Sequence, residues 1–509
     1  MTLSATALER AASYALGYAS TQEGGNYLPN RIALFTPIAI GKQPGFTGYD
    51  TPRTVTTFKE FFTLYGECPG AQIFRILKPV TGGGVGNIPV DVFPIEDAYG
   101  ATAAVGAITP TGTTADATNT HYIKFNGRLT IEGRRCSYSV VVGDTPATII
   151  AKQIAAINAF LYSPVTASDG TTETTLTAKW NGKTGNKIVV TIDTNDEDCG
   201  ITYAVTNPTG AVGDPDVADA LTNMGNVWYT HHINIWGSEL FDDIETVNGR
   251  PDITTNGTGR WMGTMMKPFV SVYGSIESVP ATLKALVASR KLDLTNAIAP
   301  APLSTGYEWE AAANMVVLSS VIANSNAHMD ICGSAYPDMP APLNDYIGAM
   351  QDWAVRDDLI DNGISTVTYN ASEGYVVQSF ITPRRPDDES PLAIDFRYVR
   401  DIFVDMNVAY NYKLLEGRYL LDKTVVNDSD VVTVDGVIKP KNWKSILFTM
   451  VDSLADLALL ADREYAKANI TVAISSTDPQ RINTTFYYKR SGVARKHSTN
   501  AYAGFNFGG

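Results

Sequence analysis

Five histidines, His121, His231, His232, His328 and His497, are all the imidazole the chain has for acid–base or nucleophilic chemistry. A Ser-His-Asp triad would have to use one of them. The Gly-x-Ser-x-Gly turn that presents a nucleophilic serine is missing. Gly237-Ser238 runs on into Glu239-Leu240, and Ser334, in Cys332-Gly333-Ser334-Ala335, lacks the second glycine. His231 and His232 head a predicted strand, His231–Trp236, so alternation sends their rings to opposite faces and they cannot share a metal. Structural or surface roles account for the histidines. Asp357-Asp358 and Asp387-Asp388-Glu389 are acidic clusters on a predicted helix and in a Pro-bounded loop. A glycosidase carboxylate pair can be drawn from anywhere in a fold, so these residues alone decide nothing. The run Asp193 to Asp198 imitates a calcium loop, but an EF-hand needs glycine at its sixth position and glutamate at its twelfth. Those positions hold Asp198 and Ala204, and a solvated acidic hairpin turn is the reading. Thr81-Gly82-Gly83-Gly84-Val85-Gly86 could cradle phosphate only if a helix opened directly after it. Pro89 and the strand-like Val90 to Ile95 follow instead, so the stretch reads as a flexible connector. Cys68, Cys136, Cys199 and Cys332 are far apart and form no C-x-x-C pair, which implies neither zinc nor a disulfide framework and fits a reducing cytoplasm. No catalytic, cofactor-binding or metal residue is assigned, and an enzyme is disfavoured.

The strongest pattern is one of charge and alternation. Gln480 to Gly509 holds Arg481, Lys489, Arg490, Arg495 and Lys496 and no acidic residue. Taking those five positive charges from the chain's −14 leaves −19 on the remainder. Ile482, Thr484, Phe486 and Tyr488 share one side of an extended strand, and Ala501, Ala503, Phe505 and Phe507 repeat the period after the turn signal Ser491-Gly492. A basic strand of this kind suits addition to another sheet, against the alternative of a frayed terminus. The acidic total disfavours general nucleic-acid binding and adhesion to an anionic membrane. No basic n-region precedes an apolar run near Met1, so no Sec signal is expected. No uncharged apolar run reaches the roughly 18–20 residues of a membrane span, because Asp452 and Asp456 interrupt the best candidate, Ile446 to Ala461.

These residues must be positioned by several domains, since 509 residues exceed one core. The chain reads as an α+β multidomain protein. Residues 1–25 form an N-terminal arm, either extended or weakly helical. Residues 26–97 are a small α/β block: a strand from Arg31 to Ile40, a helix from Val55 to Tyr65 with Phe58, Phe61, Phe62 and Tyr65 on one face, and a second strand from Gln72 to Val80. Residues 98–207 have short alternating runs, including Arg128 to Ile131, interrupted by a helix-like piece from Pro146 to Leu161. They suggest a β-sandwich-like insertion on the outside. Residues 208–375 repeat strand then helix, with helices over Asp216–Trp228, Pro280–Arg290, Tyr307–Ala323 and Tyr346–Leu359, which implies a largely parallel sheet. Residues 376–490 carry two long amphipathic helices, Asp395–Glu416 and Lys441 to about Asn469, followed by a strand over Thr471–Ser475. Residues 491–509 form a C-terminal arm.

The order Pro383-Arg384-Arg385-Pro386-Asp387-Asp388, the two helices, Thr477-Asp478-Pro479-Gln480-Arg481-Ile482 and the Tyr-rich basic tail ending Phe505-Asn506-Phe507 resemble contractile bacteriophage tail sheath proteins. The resemblance extends over the organisation of most of the chain. It implies a central domain of subtilisin-like fold without protease activity, and stacked hexameric rings around a tail tube whose subunits exchange β-strands. It further implies contraction that drives the tube through the host envelope for genome ejection. Expected partners are other copies of the chain, the tail tube protein, and the baseplate and tail terminator or collar proteins, with no cofactor, nucleic acid or membrane insertion. The expected location is the virion tail, assembled in the bacterial host cytoplasm. On this reading Ile482, Thr484, Phe486 and Tyr488 stay home as a receiving strand, while Arg495, Lys496, Tyr502, Phe505 and Phe507 belong to the inter-subunit arm. Lys441, Lys444, Arg463 and Lys467, on one helix, are candidates for the tube-facing surface, with a solvated helix face as the alternative. Fifteen extended residues from Arg495 to Gly509 reach roughly 50 Å, enough to cross to a neighbour. Readings from other classes are a hydrolase on the α/β domain, or a fibre or adhesin that binds a receptor through residues 98–207.

Overall fold

The structure is a computed structural model that describes residues 27–114, 118–195, 198–251, 257–386 and 396–495. The chain divides into two compact units, one of Leu28–Ser325 with Ile331–Met406, the other including Asn326–Asp330 and the chain from Asn407 onwards. In the first unit β1 (Ile32–Pro37) is followed by β2 (Arg53–Val55), helices α1 (Phe58–Tyr65) and α2 (Pro69–Leu77), and β3 (Val90–Ile95). Helix α1 starts where Thr57 accepts from the Glu60 N–H at 3.2 Å, and Glu60 accepts from the Thr56 N–H at 2.9 Å. Those bonds, first that from the Thr56 backbone, hold the Glu60 carboxyl below its usual range. Gly66, at φ 75°, ends the helix.

The expected strand over Gln72–Val80 is helix α2 instead. Pro69 occupies its first turn, and all nine residues are buried. Its polar residues, Gln72 and Arg75, share one face but are buried too, and a run this short and mostly apolar also fits a buried strand. The Gly-rich stretch lies beyond the C-terminal end of this helix, where carbonyls rather than N–H groups are presented. Lys78 Nζ donates to the Gly86 and Ile88 carbonyls, at 2.5 and 2.8 Å. The loop is a connector, with no helix N-terminus at its end.

Residues 98–207 build two antiparallel sheets. β4 (Ala103–Gly112) leads to β5 (Asn119–Phe125), β6 (Cys136–Val140), α3 (Pro146–Ala159), β7 (Val165–Asp169), β8 (Thr174–Asn181), β9 (Val190–Asp193) and β10 (Ile201–Thr209). The sheets have the orders β10-β4-β8-β7 and β6-β5-β9. Helix α3 is part of this core rather than an interruption of it. Gln153, fully buried, donates to the Tyr138 hydroxyl on β6 at 3.1 Å and accepts from Thr174 on β8 at 2.7 Å. Arg128–Ile131 is a turn with isolated bridges, not a strand. β9 and β10, on either side of the acidic run from Asp193, lie in different sheets and do not pair as a hairpin.

The chain then continues through α4 (Ala218–Asn223), β11 (His231–Asn234), α5 (Phe241–Asn248), β12 (Val270–Ser275), α6 (Pro280–Leu286), β13 (Asn296–Pro300) and α7 (Glu308–Asn326). β11, β12 and β13 join β1, β3 and β2 in one sheet of order β13-β12-β11-β1-β3-β2. It is parallel except at β2, which runs antiparallel to β3. The early block and the later α/β segment therefore share one sheet, with Ile32 opposite both Val90 and His231. Every residue of β1, β3, β11 and β13 is buried, as expected of a sheet covered on both faces. Gly274 on β12 lets α7 approach: a Cβ there would stand 1.7 Å from the Glu308 carbonyl oxygen. The helix expected over Asp216–Trp228 is only α4. That over Tyr346–Leu359 is a 3-10 turn, Gly348–Gln351, then α8 (Trp353–Asp361), capped by Asp352 accepting from the Ala354 N–H at 2.9 Å. A hairpin of β14 (Thr366–Asn370) and β15 (Gly374–Ser379) precedes α9 (Val399–Leu415).

The second unit adds a parallel pair, β16 (Thr424–Val425) with β17 (Val437–Ile438), then α10 (Pro440–Asp456), β18 (Leu460–Ala461), α11 (Arg463–Ala468), β19 (Ile470–Ile474), β20 (Ile482–Phe486) and β21 (Lys489–Arg490). The single helix expected from Lys441 to Asn469 is broken. Ala458 and Asp462 take positive φ, 54° and 55°. Between them Leu459 and Leu460 are buried, and Leu460 pairs with Arg490.

Candidate functional site

The fold brings together polar side chains that lie far apart in the sequence. It brings Ser319 Oγ to 3.0 Å from His231 Nε2, a serine–histidine pair 88 residues apart in sequence. His231 Nδ1 lies 2.9 Å from the Thr230 hydroxyl, so the third member is an alcohol rather than a carboxylate. Both residues are buried, Ser319 inside α7, and burial pushes the imidazole down to about 3. A base that weak, with no open approach for a substrate, is a core hydrogen bond. His232 points the other way, with its ring 4.5 Å from Phe35 and its Nδ1 2.9 Å from Ser271 Oγ. Burial pushes it down to about 3 as well. The two rings thus occupy opposite faces of β11. His121 Nδ1 lies 2.7 Å from the Tyr203 hydroxyl. Among the described residues no group of three His, Cys, Asp or Glu side chains could hold a metal ion. Nor is any helix among them long and apolar enough to cross a membrane. Three cysteines are buried and Cys332 is exposed.

The remaining candidate is the strand pair at the end of the second unit. Helix α10 buries Trp443, Leu447, Met450, Val451 and Leu454, a stripe of period 3–4. β19 and β20 are antiparallel, with Val472 opposite Thr484. The Trp443 indole N–H donates to Thr484 Oγ1 at 3.1 Å, which fixes the ribbon to the helix. Burial alternates as expected: Ile482, Thr484, Phe486 and Tyr488 are half-buried, while Asn483, Thr485, Tyr487 and Lys489 are exposed. The ladder itself ends at Phe486. Lys489–Arg490 forms a separate antiparallel pair with β18. Lys489 Nζ meets Asp462 Oδ2 at 2.6 Å and lies over the Tyr465 ring at 4.2 Å. That bond, first among its causes, holds the Asp462 carboxyl below its usual range. The Ser475 N–H donates to the Arg481 carbonyl at 2.8 Å. Alternation along an antiparallel ladder then turns the N–H groups of Ile482, Thr484 and Phe486 away from β19. Among the described residues this sheet has two strands, so each strand has one open edge.

The four tube-facing candidates do not share a helix. Lys441 and Lys444 lie on α10, Arg463 and Lys467 on α11. Lys441 donates from its backbone N–H and from Nζ to Asp428, at 2.9 and 3.1 Å. Lys444 lies 5.7 Å from the Phe448 ring. Arg463 is 2.8 Å from Asp456, and Lys467 is 2.6 Å from Asp452. The two α11 bases thus present neutralised pairs. Arg495 is ion-paired with Asp330 of the same unit. Lys496, Tyr502, Phe505 and Phe507 lie outside the described residues, as does the N-terminal arm of residues 1–25.

Fold and surface together describe a mixed α/β, multi-sheet protein whose described residues assemble no reactive centre and include a two-stranded ribbon with open edges among those residues. No family model matches the chain. It is 23% identical over 443 residues, 84% of each chain, to the Mu-like prophage FluMu tail sheath protein of Haemophilus influenzae. Solved structures with similarity include the sheath tail protein of Desulfitobacterium hafniense, at 11% identity over 93% of this chain and 99% of that one, TM-score 0.44. The sheath tail protein of Listeria innocua is similar at 10% identity over 96% of each chain, TM-score 0.44. The resemblance to tail sheath proteins drawn from the sequence is upheld by the curated relative.

Proposed function

We propose that the chain is a structural sheath subunit of a contractile tail, polymerising as stacked hexameric rings around a tail tube and contracting to drive the tube through a host envelope for genome ejection. The observation that carries this reading is the similarity to a tail sheath protein across 84% of both chains. In this proposal the parallel sheet belongs to a subtilisin-like domain, and residues 98–207 form a sandwich-like outer insertion. The C-terminal domain joins subunits through Ile482–Tyr488 as receiving strand and Arg495–Phe507 as donated arm. The open edges of β19 and β20 support that assignment, since added strands make main-chain hydrogen bonds that persist while the rest of a subunit rotates. The donated arm carries Arg495 and Lys496 and no acidic residue, against −19 on the chain outside residues 480–509, which favours docking on a like subunit and makes it partly salt-sensitive. Lys444 is the better tube-facing candidate, because Arg463 and Lys467 are engaged by Asp456 and Asp452, and Lys441 Nζ by the Asp428 carbonyl. Tube, baseplate and terminator proteins are the other partners, in a virion tail assembled in a bacterial host cytoplasm. Contraction draws on a metastable extended lattice rather than nucleotide hydrolysis. A few kcal/mol per subunit, the scale of ordinary interface rearrangements, is sufficient when summed over the lattice.

Negative-stain microscopy of the purified chain and of a chain lacking residues 495–509 tests the proposal. Long tubes are expected from the former and unassembled particles from the latter. Tubes formed equally well by the truncated chain would overturn the strand-exchange assignment, and failure of the full chain to form rings or tubes would overturn the sheath reading.

A further inference from the structure

Glu67, just before α2, and Gln72 and Arg75 within it lie beside Tyr307 and Trp309 at the start of α7, deep in the first unit. Gln72 is the hub. Its Nε2 donates to Glu67 Oε1 at 3.3 Å, and its Oε1 accepts from the Trp309 indole N–H at 2.8 Å. Tyr307 stacks on Trp309, with ring centroids 4.7 Å apart and planes at 15°. Around this hub three polar atoms have no hydrogen-bond partner: Glu67 Oε2, Arg75 Nη1 and the Tyr307 hydroxyl. Their residues are each more than nine-tenths buried. Arg75 Nη1 stands 3.7 Å from Glu67 Oε1, close enough for charge attraction and too far for a hydrogen bond. Three orphaned polar atoms in one place are unusual, because each costs about 1–3 kcal/mol when left unmade.

The chemistry of the three atoms selects the ligand. Glu67 Oε2 requires a donor. Arg75 Nη1 requires an acceptor, and the Tyr307 hydroxyl can serve as either. An anion would satisfy Arg75 while facing the carboxylate, and a cation would satisfy Glu67 while facing the guanidinium. A small neutral molecule that both donates and accepts satisfies all three, and buried waters make two to four such bonds. We propose that an ordered water is built into this site, accepting from Arg75 Nη1 and donating to Glu67 Oε2, with the Tyr307 hydroxyl as its third partner. The water completes the hydrogen bonding of a buried ion pair whose direct bond is too long, and it ties Glu67 and Arg75 of the α2 segment to the start of α7. The site is independent of how the chain assembles.

A density map of the full chain at about 2 Å, from crystals or assembled tubes, tests the proposal. The expected result is a single peak within about 3.2 Å of all three atoms. A direct Arg75–Glu67 hydrogen bond with no density between the groups would overturn it. An anomalous signal at the peak after soaking in bromide or rubidium would equally overturn it, by identifying an ion. In the Tyr307→Phe variant the peak should remain between Glu67 and Arg75 but move away from the ring. An unmoved peak would remove Tyr307 from the site.

Discussion

Replacing Arg128 with methionine should cost the first unit far more than any other single loss of a surface-reaching charge. Arg128 follows β5 in the insertion, and its Nε donates to Glu310 Oε1 of α7 at 3.0 Å. Its Nη1 and Nη2 reach Asp338, at 2.8 Å to the carboxylate and 3.3 Å to the carbonyl. Burial alone would lower the guanidinium pKa, but Glu310 and Asp338 outweigh it and hold the group above its usual range. The two acidic partners differ in kind. The Glu310 side chain is 0% exposed and that of Asp338 50% exposed. At 3 Å and an effective dielectric of about 20, the buried pair is attracted by roughly 5 kcal/mol. Removing Arg128 strands the Glu310 carboxylate with only the Tyr307 N–H, at 3.1 Å, still donating to it. The loss expected for one-sided removal of such a pair is about 3–5 kcal/mol. Asp338→Asn should cost less than about 1 kcal/mol, because water screens that arm. The double variant Arg128→Met/Glu310→Gln should recover about half of the loss, because no charge is left buried. Urea unfolding of the unassembled chain, followed by tryptophan fluorescence as a double-mutant cycle, reads these differences. If Arg128→Met fell within about 1 kcal/mol of the parent, or if Asp338→Asn cost as much, the reasoning from burial would be wrong.

Burial, reinforced by the Glu245 charge, pushes the Asp293 carboxyl up to about 6 from an unfolded value of 3.8. A carboxyl raised on folding favours the protonated state, so its penalty is absent below pH 4 and complete above pH 6, at most about 3 kcal/mol. Asp293→Asn should therefore flatten the fall in Tm between pH 4 and pH 7, and an unchanged slope would count against it. His232 acts in the opposite sense. It is held neutral at about 3, so the stability it contributes is complete above pH 6.5 and is lost as pH falls towards 3. His232→Leu, of similar volume, should make the chain less acid-labile between pH 6 and pH 4 by the same thermal assay, and equal or greater lability would refute this. Ile482→Pro removes an N–H that faces away from β19 at the first position of β20, where proline is tolerated. It should reduce tube yield several-fold relative to Ile482→Ala while leaving the far-ultraviolet circular dichroism unchanged. Equal yields would argue against an incoming strand at that edge.

The parallel sheet was legible because strand and helix alternate along the chain, and α1 was legible because its aromatic face and its stop at Gly66 are local signals. Helix α2 was not, since a nine-residue, mostly apolar run with only Gln72 and Arg75 to mark a face also fits a buried strand. The break at Ala458 was hidden for the opposite reason: Leu454, Leu457 and Ala461 continue a helical spacing straight through it. The register of Ile482 to Tyr488 was visible as alternation. The pairing of Lys489 and Arg490 with Leu460 and Ala461 was not, because it depends on two residues brought back from thirty positions away. The Ser319–His231 pair and the Glu67–Arg75–Tyr307 cluster share that cause. Polar groups distant in sequence leave no periodic trace, so their meeting is a property of the fold.

The edges of the sheets separate what this chain closes from what it leaves open. At one margin of the parallel sheet, β2 is only three residues long, and its Thr54 hydroxyl is tied to Asp91 Oδ1 at 2.6 Å. At the other margin β13 is buried along its whole length and ends in Pro300. Short strands, covered backbone and proline are the means by which natural sheets refuse further strands. Among the described residues β19 and β20 show none of them. Ile470-Thr471-Val472-Ala473-Ile474 and Ile482-Asn483-Thr484-Thr485-Phe486 contain no charge and no proline. A two-stranded ribbon is marginal alone and here gains its support from one face, through Trp443 and α10. Such an edge would be an aggregation hazard in a protein that remained solitary. Under the proposed strand exchange the same feature would let a strand from another copy complete the sheet, with the selecting charge on the residues that flank β20 rather than within it.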